Sequence, residues 1–431
     1  MPTERPTHTK IVDVKAREVL DSRGNPTVEA EVETKTSAGR ASVPSGASKG
    51  LHEALELRDG DQRRFHGKGV RKAISNVVTL IGPKILGADP GDQRRLDSLL
   101  VRLDGTPNKS RLGANAILAV SMAAAKAAAS SKGISLYEKL RPAKGYTLPV
   151  PMMNIINGGE HAGNGLAIQE FMIEPVGADS CSEAIRMGAE VYQSLKGVLT
   201  DGYGRGATNV GDEGGFAPPL SKTRDALDAI MKAVKRSGYG EKEVRLGIDA
   251  AASVFFDSKR AEYRLDGRAF DARQLEDFYS SLRDEYALLT IEDPFAEEAF
   301  DEFASLTGRI GRNTKIIGDD LYATNAKRMR KGIGQKATNG VLVKLNQIGT
   351  VSETEDAMGL ANKAGWAVAV SHRSGETEDP FIAHLATAFG SEFIKTGAPA
   401  RGERVAKYNE LLRIEEGLGS RARFAGKVFR R

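Results

Sequence analysis

Six short apolar runs in the second half of the chain each end on an ionisable side chain, at nearly regular intervals. The endings are Asp249, Glu292 with Asp293, Asp319 with Asp320, Lys344, His372 and Lys395. From Asp249 onward, the successive steps are 43, 27, 25, 28 and 23 residues. A strand followed by a returning helix and the next strand takes about 30 residues or more. The spacing therefore predicts one strand–helix unit per step, with a charge at the carboxyl end of each strand.

Helical stretches such as residues 182–199 and 223–238 alternate with these apolar runs. Such alternation is typical of a parallel sheet with right-handed crossovers. In a (β/α) barrel, the carboxyl ends of the strands converge on one mouth, where active sites lie. Each strand could instead end separately in solvent, but six charged endings in register favour a shared site, since they would otherwise repel or remain unpaired. We expect residues 151–431 to form a catalytic (β/α)8-type barrel.

The beginning of the chain follows a different pattern, that of an antiparallel meander over residues 11–44. In VEAEVET (28–34), apolar residues alternate with glutamates, so one face is buried and the other is wet. The segments DSRGNP (21–26) and SAG (37–39) predict the turns. This part of the chain is therefore expected to form three short antiparallel strands.

Helical periodicity follows the predicted meander. One apolar stripe is formed by Val70, Ala73, Ile74, Val77, Val78 and Ile81. An alanine-rich segment near residues 114–130 predicts a second helix. Residues 1–140 are thus expected to form a smaller N-terminal α+β capping domain, and the proline-containing residues 141–150 a linker. The predicted fold class is α/β, a barrel with this smaller domain before it.

Charge and cysteine content restrict the protein class. The net charge of +5 is small against 62 basic and 57 acidic residues, so a mixed-charge surface is expected. Cys181 is the only cysteine, which excludes an intrachain disulfide and suits a reducing compartment. The start of the chain has no signal-peptide pattern, and the alanine-rich segment is too short to span a bilayer. We therefore expect a cytoplasmic protein that is not inserted into a membrane.

Asp249, Glu292 and Asp319 are three carboxylates from successive predicted strands. If they were brought together without a counter-charge, at least one would have to take up a proton. A hard divalent cation resolves this, and ligation by oxygen atoms alone suits Mg²⁺ or Mn²⁺. Salt bridges to neighbouring lysines are the alternative explanation.

Basic residues are predicted next to these carboxylates. Lys344 and Lys395 would lie beside the cation, and neighbouring positive charges lower the pKa of a lysine enough to make it a base near neutral pH. Arg373 and Ser374 together offer a guanidinium fork and a hydroxyl, a frequent combination for binding phosphate or carboxylate.

Three loops rich in small residues are candidates for lids that close over a substrate. They are NGGEHAGNG (157–165), which carries Glu160 and His161 and is followed by Gln169 and Glu170; NVGDEGGF (209–216), which carries Asp212 and Glu213; and SVPSGASKG (42–50). For residues 42–50 taken alone, a plain turn is the favoured interpretation.

Eight longer motifs give the chain its resemblance to a known family. They are SHRSGETED (371–379), IEDPF (291–295), GDEGGFAP (211–218), NQIGT (346–350), QEFMI (169–173), DSRGNPTVE (21–29), KSRLGANAILAVS (109–121) and IKTGAPARGER (394–404). In these motifs and their order, the chain resembles the enolases over about residues 11–426. The resemblance implies a Mg²⁺-dependent lyase of glycolysis and gluconeogenesis. Such an enzyme reversibly dehydrates 2-phospho-D-glycerate to phosphoenolpyruvate and forms homodimers or octamers.

The resemblance also implies a metal-ligand set with two Mg²⁺ ions per active site. It implies that Asp249, Glu292 and Asp319 bind the first ion, which also holds the substrate carboxylate. Ser45 and the substrate phosphate would help to hold the second ion.

Roles in proton transfer and substrate binding are implied as well. By resemblance, Lys344 removes the proton next to the substrate carboxylate, and Glu213, supported by Glu170, protonates the departing hydroxyl, with His161 beside them. The implied substrate-binding residues are His161, Glu170, Lys344, His372, Arg373, Ser374 and Lys395. Lys49, Ala250 and Val254 depart from the family pattern, which concerns loop closure and rate more than reaction type.

Two alternative functions remain. A relative with the same strategy could act on a different substrate, a sugar acid, although the phosphate-binding pair and the complete set of motifs argue against this. The other alternative is an additional surface-binding role, to nucleic acid or a surface receptor. Its motivation is the basic segment RARFAGKVFRR (421–431), which we otherwise expect to be a solvated tail.

Overall fold

A small antiparallel sheet with helices precedes a closed eight-stranded barrel. The structure is a computed structural model that describes residues 9–46 and 50–430, so the departure noted at Lys49 lies outside the described residues. The strands are β1 Ile11–Leu20, β2 Pro26–Thr34, β3 Ala38–Ser42, β4 Tyr146–Leu148, β5 Val150–Asn157, β6 Glu170–Glu174, β7 Arg245–Asp249, β8 Phe256–Asp257, β9 Glu262–Leu265, β10 Arg268–Phe270, β11 Thr290–Glu292, β12 Lys315–Gly318, β13 Gly340–Val343, β14 Ala367–Ser371, β15 Phe393–Lys395 and β16 Ala422–Phe424. The helices are α1 Arg71–Ser75, α2 Gly82–Ile85, α3 Gln93–Asp104, α4 Ala114–Lys132, α5 Leu136–Leu140, α6 Cys181–Tyr203, α7 Thr223–Arg236, α8 Ala272–Tyr286, α9 Phe300–Ile310, α10 Ala326–Gln335, α11 Leu345–Ile348, α12 Val351–Lys363, α13 Phe381–Phe389 and α14 Gly402–Leu418.

The predicted meander is confirmed as the antiparallel sheet β1–β2–β3. Its buried face packs against α4, whose alanines let the helix backbone come close to the sheet. A Cβ atom added to Gly39 would lie 2.2 Å from the carbonyl oxygen of Ala123 and 2.2 Å from the nitrogen of Ala127. Only glycine fits at this position of β3, because any side chain would push the helix away.

The predicted helical stripe over residues 70–81 is only partly correct. Val70, Ala73, Val77 and Ile81 are buried, but Val78 is 46% exposed. The chain changes from α1 to a π-helical turn over Asn76–Ile81. Because a π turn places more residues in each turn than an α-helix, the phase of the apolar stripe changes and Val78 faces the solvent.

The barrel strands follow the order β5–β6–β7–β11–β12–β13–β14–β15, and β15 closes on β5. The prediction of a parallel sheet is wrong for one strand, since β6 runs antiparallel to both β5 and β7. Only residues 158–169 join β5 to β6, with no α-helix among them, so the chain reverses there without a crossover. As a result, the first residue of β6, Glu170, lies at the mouth where the other strands end.

The predicted charged strand endings are confirmed. Strands β7, β11 and β15 end on Asp249, Glu292 and Lys395. The first residues after β12, β13 and β14 are Asp319, Lys344 and His372. The regular spacing of these residues in the sequence therefore corresponds to one mouth of the barrel.

Side chains of the small domain cap a barrel helix. The carboxylate of Asp97, in α3, accepts hydrogen bonds from the backbone nitrogen of Ser352 at 2.9 Å and from its hydroxyl at 2.6 Å. The hydroxyl of Ser121, in α4, accepts from the backbone nitrogen of Val351 at 3.0 Å. A carboxylate at the first turn of α12 satisfies N–H groups that have no partner within the helix and complements its dipole. This cap ties the two parts of the molecule together.

The backbone of the basic C-terminal segment is packed rather than a free tail, contrary to expectation, although the basic side chains of its described residues are exposed. Strand β16 pairs in parallel with β4, and Phe424 and Ala425 are buried. The guanidinium of Arg430 donates to the carbonyl of Val176 at 3.2 Å and pairs with Asp179 at 3.0 Å. Within residues 9–46 and 50–430, no helix has both the length and the apolar character needed to cross a membrane.

A buried carboxyl inside the barrel generates a prediction about stability. Glu174, the last residue of β6, is fully buried, and its Oε1 accepts a hydrogen bond from Thr290 at 2.5 Å. Its Oε2 has no hydrogen-bond partner in the part of the chain that the structure describes. Burial raises the pKa of Glu174 to about 8. The folded protein therefore keeps a proton that the unfolded chain releases near its ordinary pKa of 4.5, and stability falls as pH rises between these two values.

We expect Glu174→Gln to remove this fall in stability with rising pH, because glutamine does not titrate and can still accept the hydrogen bond from Thr290. From pH 5 to pH 8, the wild type should lose on the order of 3 kcal/mol of unfolding free energy relative to the variant. Urea unfolding of both proteins at these two pH values measures the difference. Identical pH dependence in the two proteins would contradict the prediction.

Candidate active site

A cavity of about 200 Å³ opens at the mouth of the barrel. Ten of the twelve predicted site residues line it: His161, Glu170, Glu213, Asp249, Asp319, Lys344, His372, Arg373, Ser374 and Lys395. Val254, one of the departures from the family pattern, also lies on its wall, whereas Ala250 is buried. The structure thus brings together residues from distant parts of the chain, as predicted.

Strand register places three carboxylates in one row. Glu170 of β6 is paired with Asp249 of β7, which is paired with Glu292 of β11. The ammonium of Lys395 is the centre on which they converge. Its Nζ lies 2.9 Å from Asp249 Oδ2 and 2.9 Å from both carboxylate oxygens of Glu292. The same atom lies 3.1 Å from Glu170 Oε2.

One ammonium does not balance three buried carboxylates. Burial, and then the charge of Asp249, raise the pKa of Glu292 well above its usual range. Burial alone would lower the pKa of Lys395, but the charges of Asp249 and Glu170 outweigh it and raise that pKa well above its usual range. The surplus negative charge must be met either by a proton or by another cation.

Asp319 lies outside this row, two residues beyond Ile317, which is the residue paired with Glu292, and on the side of the barrel where Lys344 lies. One of its oxygens contacts the Lys344 ammonium, and the other accepts from Gln347 Nε2 at 3.0 Å. Burial lowers the pKa of Lys344, but the charge of Asp319 raises it on balance. The predicted lowering of the Lys344 pKa depends on the positive charge of a bound cation and stays a prediction, since among the protein's own groups Asp319 exerts the larger effect. A lowered pKa would require a cation that draws this carboxylate away.

The donor set suits a hard divalent cation. The three predicted ligands, Asp249, Glu292 and Asp319, offer only oxygen atoms, and Asp249 and Glu292 both lie 2.9 Å from the Lys395 ammonium. Among the described residues, the groups of three whose ligand atoms all lie within 4.8 Å of one another are Asp293, Asp319 and Asp320, and His161, Glu170 and Glu213, whereas the predicted set of Asp249, Glu292 and Asp319 is not one of them. However, both oxygens of Asp293 accept backbone N–H groups, from Asp319 and Asp320 at 2.8 Å each. Asp293 thus holds the strand-end turn and has fewer lone pairs left for an ion.

Ser45 is near the site but outside the cavity lining. Its backbone nitrogen donates to the carbonyl of Gly375 at 2.7 Å, which joins the small domain to the loop after β14. Its hydroxyl lies 3.1 Å from Glu56 and 3.0 Å from Arg58. The serine is therefore held beside the mouth by its own domain.

Glu170, Glu213 and two histidines form a second cluster. His161 Nδ1 lies 3.8 Å from Glu170 Oε1 and 3.7 Å from Glu213 Oε1. His372 Nε2 lies 3.4 Å from Glu213 Oε2, which also accepts from Asn154 at 3.0 Å. Burial, and then the charge of Glu213, raise the pKa of Glu170 well above its usual range. Burial alone would raise the pKa of Glu213 as well, but the charges of His372 and His161 outweigh it and hold that pKa well below its usual range. Of the two neighbouring carboxyls, Glu170 is therefore the one that binds a proton more readily.

Arg373 binds a residue that the sequence reasoning missed. Its two terminal nitrogens each lie 3.0 Å from one carboxylate oxygen of Glu53, in the small domain. Asn346 Oδ1 also accepts from Arg373 at 3.0 Å. The Ser374 hydroxyl, at the cavity wall, has no hydrogen-bond partner within the described ranges. Arg373 and Ser374 therefore have the groups needed to bind an anion, and the carboxylate of Glu53 is bound to the guanidinium in this structure.

Glu53 and Asn154 are the two site residues that the sequence does not predict, and neither belongs to a motif described above. Glu53 lies in an ordinary polar segment, and nothing in the sequence links it to Arg373, 320 positions away. Asn154 gives a weak signal, because it is a polar residue within the otherwise apolar run VPMMNIIN of β5. A buried amide in such a strand needs a partner, and here the partner is Glu213.

Comparisons with known proteins identify the family of both parts of the chain. A family model described as "Enolase, C-terminal TIM barrel domain" matches residues 145–431, and one described as "Enolase, N-terminal domain" matches residues 11–140. A curated relative named "Enolase" from Methanocaldococcus jannaschii is 58% identical over 422 residues, which cover 98% of each chain. One with the same name from Methanococcoides burtonii is 56% identical over 96% of this chain and 97% of its own. Another from Pyrococcus furiosus is 54% identical over 98% of each chain.

The charge imbalance at the mouth predicts the effect of removing Lys395. Lys395→Met leaves three buried carboxylates without their ammonium, so the free energy of unfolding should fall by about 3–5 kcal/mol in metal-free buffer. Added Mg²⁺ should restore part of this loss. Urea unfolding with and without Mg²⁺ measures both effects.

Lys15→Met is the matched control, because Lys15 pairs with Glu33 on an exposed sheet face. This change should leave the free energy of unfolding nearly unaltered. Equal behaviour of the two variants would show that the carboxylates do not depend on Lys395.

Proposed function

This chain belongs to the enolase family, and from that premise we propose how the residues of its barrel mouth divide the work of the reaction. The protein is a lyase that reversibly dehydrates 2-phospho-D-glycerate to phosphoenolpyruvate, a step of glycolysis. The reaction removes a proton from the carbon next to a carboxylate and a hydroxyl from the carbon after it. The site must therefore supply a base, an acid and positive charge near the substrate carboxylate.

One topological observation carries the assignment of base and acid. In the closed barrel, β6 and β13 are four strands apart in both directions, and so lie on opposite sides. Lys344 directly follows β13, and Glu170 begins β6. A substrate bound between them meets an amine on one side and the carboxyl pair of Glu170 and Glu213 on the other. This arrangement suits removal of the proton and of the hydroxyl from opposite faces.

We assign the removal of the proton to the Lys344 amine. Asp319, which contacts it, would first have to release it, and a ligand that draws the Asp319 carboxylate away would lower the Lys344 pKa. Glu213, with Glu170 behind it, would deliver a proton to the departing hydroxyl. His161 lies between these two glutamates and lines the same wall.

Substrate binding is assigned to the basic groups of the mouth. Arg373 and Ser374 would hold the phosphate, which requires Glu53 to give up the guanidinium. The ammonium of Lys395 would stabilise the charge that develops on the substrate carboxylate, and His372 would complete the pocket beside Glu213. Closure of residues 1–140 over the mouth is supported by Ser45 and Glu53, which reach it from that domain.

We further propose two Mg²⁺ ions at the site. Asp249, Glu292 and Asp319 would hold the first, and Ser45 with the substrate phosphate the second. A bound ion supplies positive charge beside the substrate carboxylate as its neighbouring carbon loses a proton. The support for this assignment is the surplus of buried carboxylates around one ammonium.

Assembly and compartment are part of the same proposal. We propose a homodimer or an octamer in the cytoplasm, with residues 1–140 as a capping domain and residues 151–431 as the catalytic barrel. Residues 141–150 would connect them, although this segment also contains β4 and the first residue of β5. Family membership supports oligomer formation, and the single buried thiol of Cys181 suits a reducing compartment. The mass in solution from light scattering distinguishes the two assemblies.

Replacement of the base tests the proposal. Lys344→Ala should lower kcat by roughly 10²–10⁴-fold while the far-ultraviolet circular dichroism spectrum stays unchanged. Phosphoenolpyruvate formation is measured with Mg²⁺ and with EDTA, and Lys232→Ala, on the exposed side of α7, is the control. Near-normal kcat in Lys344→Ala, or turnover that EDTA does not affect, would refute the assignment. A sugar acid turned over in preference to 2-phosphoglycerate would favour the alternative substrate.

The division between base and acid predicts a second outcome. In D₂O, Glu213→Gln should still exchange the substrate proton next to the carboxylate, because Lys344 is intact, although it forms no phosphoenolpyruvate. Lys344→Ala should lose this exchange. Proton NMR of recovered substrate measures both, and exchange that survives in Lys344→Ala would show that another group is the base.

A further inference from the structure

A completely buried arginine lies behind the phosphate-binding pair, Arg373 and Ser374. No role has been assigned to it so far. Arg404, near the start of α14, is 0% exposed. Its Nη1 lies 2.6 Å from His372 Nδ1 and 2.6 Å from the carbonyl oxygen of Arg373. Its Nη2 donates to the carbonyls of Ser374 at 2.5 Å and Asp212 at 3.1 Å. The guanidinium therefore joins the loop after β14 to the loop that carries Glu213.

The contact with His372 has only one chemically consistent direction. A guanidinium keeps all its protons in a protein and has no acceptor atom, so Arg404 must donate and Nδ1 must accept. An Nδ1 that accepts carries no proton. The ring proton of a neutral His372 then lies on Nε2, and burial lowers the His372 pKa to about 3, which keeps the ring neutral. The protonated atom, Nε2, is the one that lies 3.4 Å from Glu213 Oε2.

This tautomer distinguishes the two oxygens of Glu213. Oε2 accepts a hydrogen bond from Asn154 at 3.0 Å, and His372 Nε2 lies 3.4 Å from the same oxygen, near enough to donate after a small rotation although the contact does not have hydrogen-bond geometry in this conformation. The opposite tautomer would point a bare nitrogen lone pair at Oε2 and repel the carboxylate. With Oε2 engaged as an acceptor, Oε1 is the oxygen left to exchange a proton, and it lies 3.7 Å from His161.

We propose that Arg404 is a positioning residue that fixes His372 as the Nε2–H tautomer and thereby directs Oε1 of Glu213 toward the departing hydroxyl. The proposal rests on the assignment of Glu213 as the acid. Arg404 itself does not touch the reacting atoms. Its effect passes through His372 and through the carbonyls of Arg373, Ser374 and Asp212, which it holds in place.

The first test uses the unaltered protein. With ¹⁵N-labelled histidine, long-range ¹H–¹⁵N correlation spectra identify the protonated nitrogen of each of the six histidines. The His372 signal is assigned by its loss in His372→Gln. We expect the Nε2–H pattern with no protonation down to mildly acidic pH. An Nδ1–H pattern, or an imidazolium at neutral pH, would overturn the proposal.

Two arginine variants distinguish an effect of Arg404 on the His372 tautomer from a purely structural role. Arg404→Lys keeps the charge but cannot span His372 and the three carbonyls, so we expect a changed or mixed tautomer and a kcat lower by about 10–100-fold. Arg401→Lys is the matched control, since Arg401 donates to the carbonyls of Gly211 at 3.1 Å and Ser22 at 3.2 Å without contacting His372. Its His372 pattern should equal that of the wild type.

The possible failures can be told apart. An unchanged Nε2–H tautomer in Arg404→Lys with reduced kcat would make Arg404 a merely structural residue and reject the proposal. If Arg404→Lys does not fold, the spectrum of the unaltered protein still decides the tautomer. The correct tautomer in a protein that does not dehydrate 2-phosphoglycerate would instead reject the proposed function, because the NMR measurement does not depend on turnover.

Discussion

The ammonium of Lys395 lies between three buried carboxylates, and the geometry of the barrel mouth follows from the need to bring these charges together. Glu170, Asp249 and Glu292 occupy one row of the sheet because β6, β7 and β11 are in register at these residues. Three carboxylates around one ammonium leave a net negative charge among buried side chains. Such a cluster is expensive to assemble unless it binds a cation. The fold therefore concentrates, at one place, the negative charge needed to bind a cation for the reaction.

Two features of the chain convert this cluster into a site with distinct sides. The reversed strand β6 brings its first residue, Glu170, to a mouth that the other strands reach with their last residues. Lys344 lies diametrically opposite, after β13. The small domain then contributes from above, where Glu53 binds Arg373 and Ser45 joins Gly375, and from the side, where Asp97 caps α12. The site is thus built from two domains whose contact is itself polar and buried.

Periodicity in the sequence was sufficient to predict the barrel and most of its mouth, because a charge after each apolar run is a local signal. The direction of β6 is not such a signal, since EFMIE has the same composition whichever way the strand runs. Val78 was placed on the wrong face because the π turn that shifts the helix phase depends on packing. The ion pair of Glu53 with Arg373 joins residues that are far apart in the sequence and belong to no common pattern.

The directions of the pKa shifts and the positions of the protons were the least predictable part of the site. The sequence placed Lys344 next to carboxylates and a cation, but which of them dominates its pKa depends on distances, and Asp319 is in direct contact. Arg404 belongs to the motif IKTGAPARGER, but its role becomes clear only from its burial and its contact with His372. Both cases show that residue type and spacing predict which groups meet, whereas the proton positions follow from individual contacts.

Diffraction from crystals soaked in Mn²⁺ tests the central claim most directly, because the anomalous signal locates the ion without any assumption about ligands. The surplus of carboxylate charge predicts a strong peak between Asp249, Glu292 and Asp319, within bonding distance of an oxygen from each. A peak only among Asp293, Asp319 and Asp320, or no peak at the mouth at saturating Mn²⁺, would contradict the account.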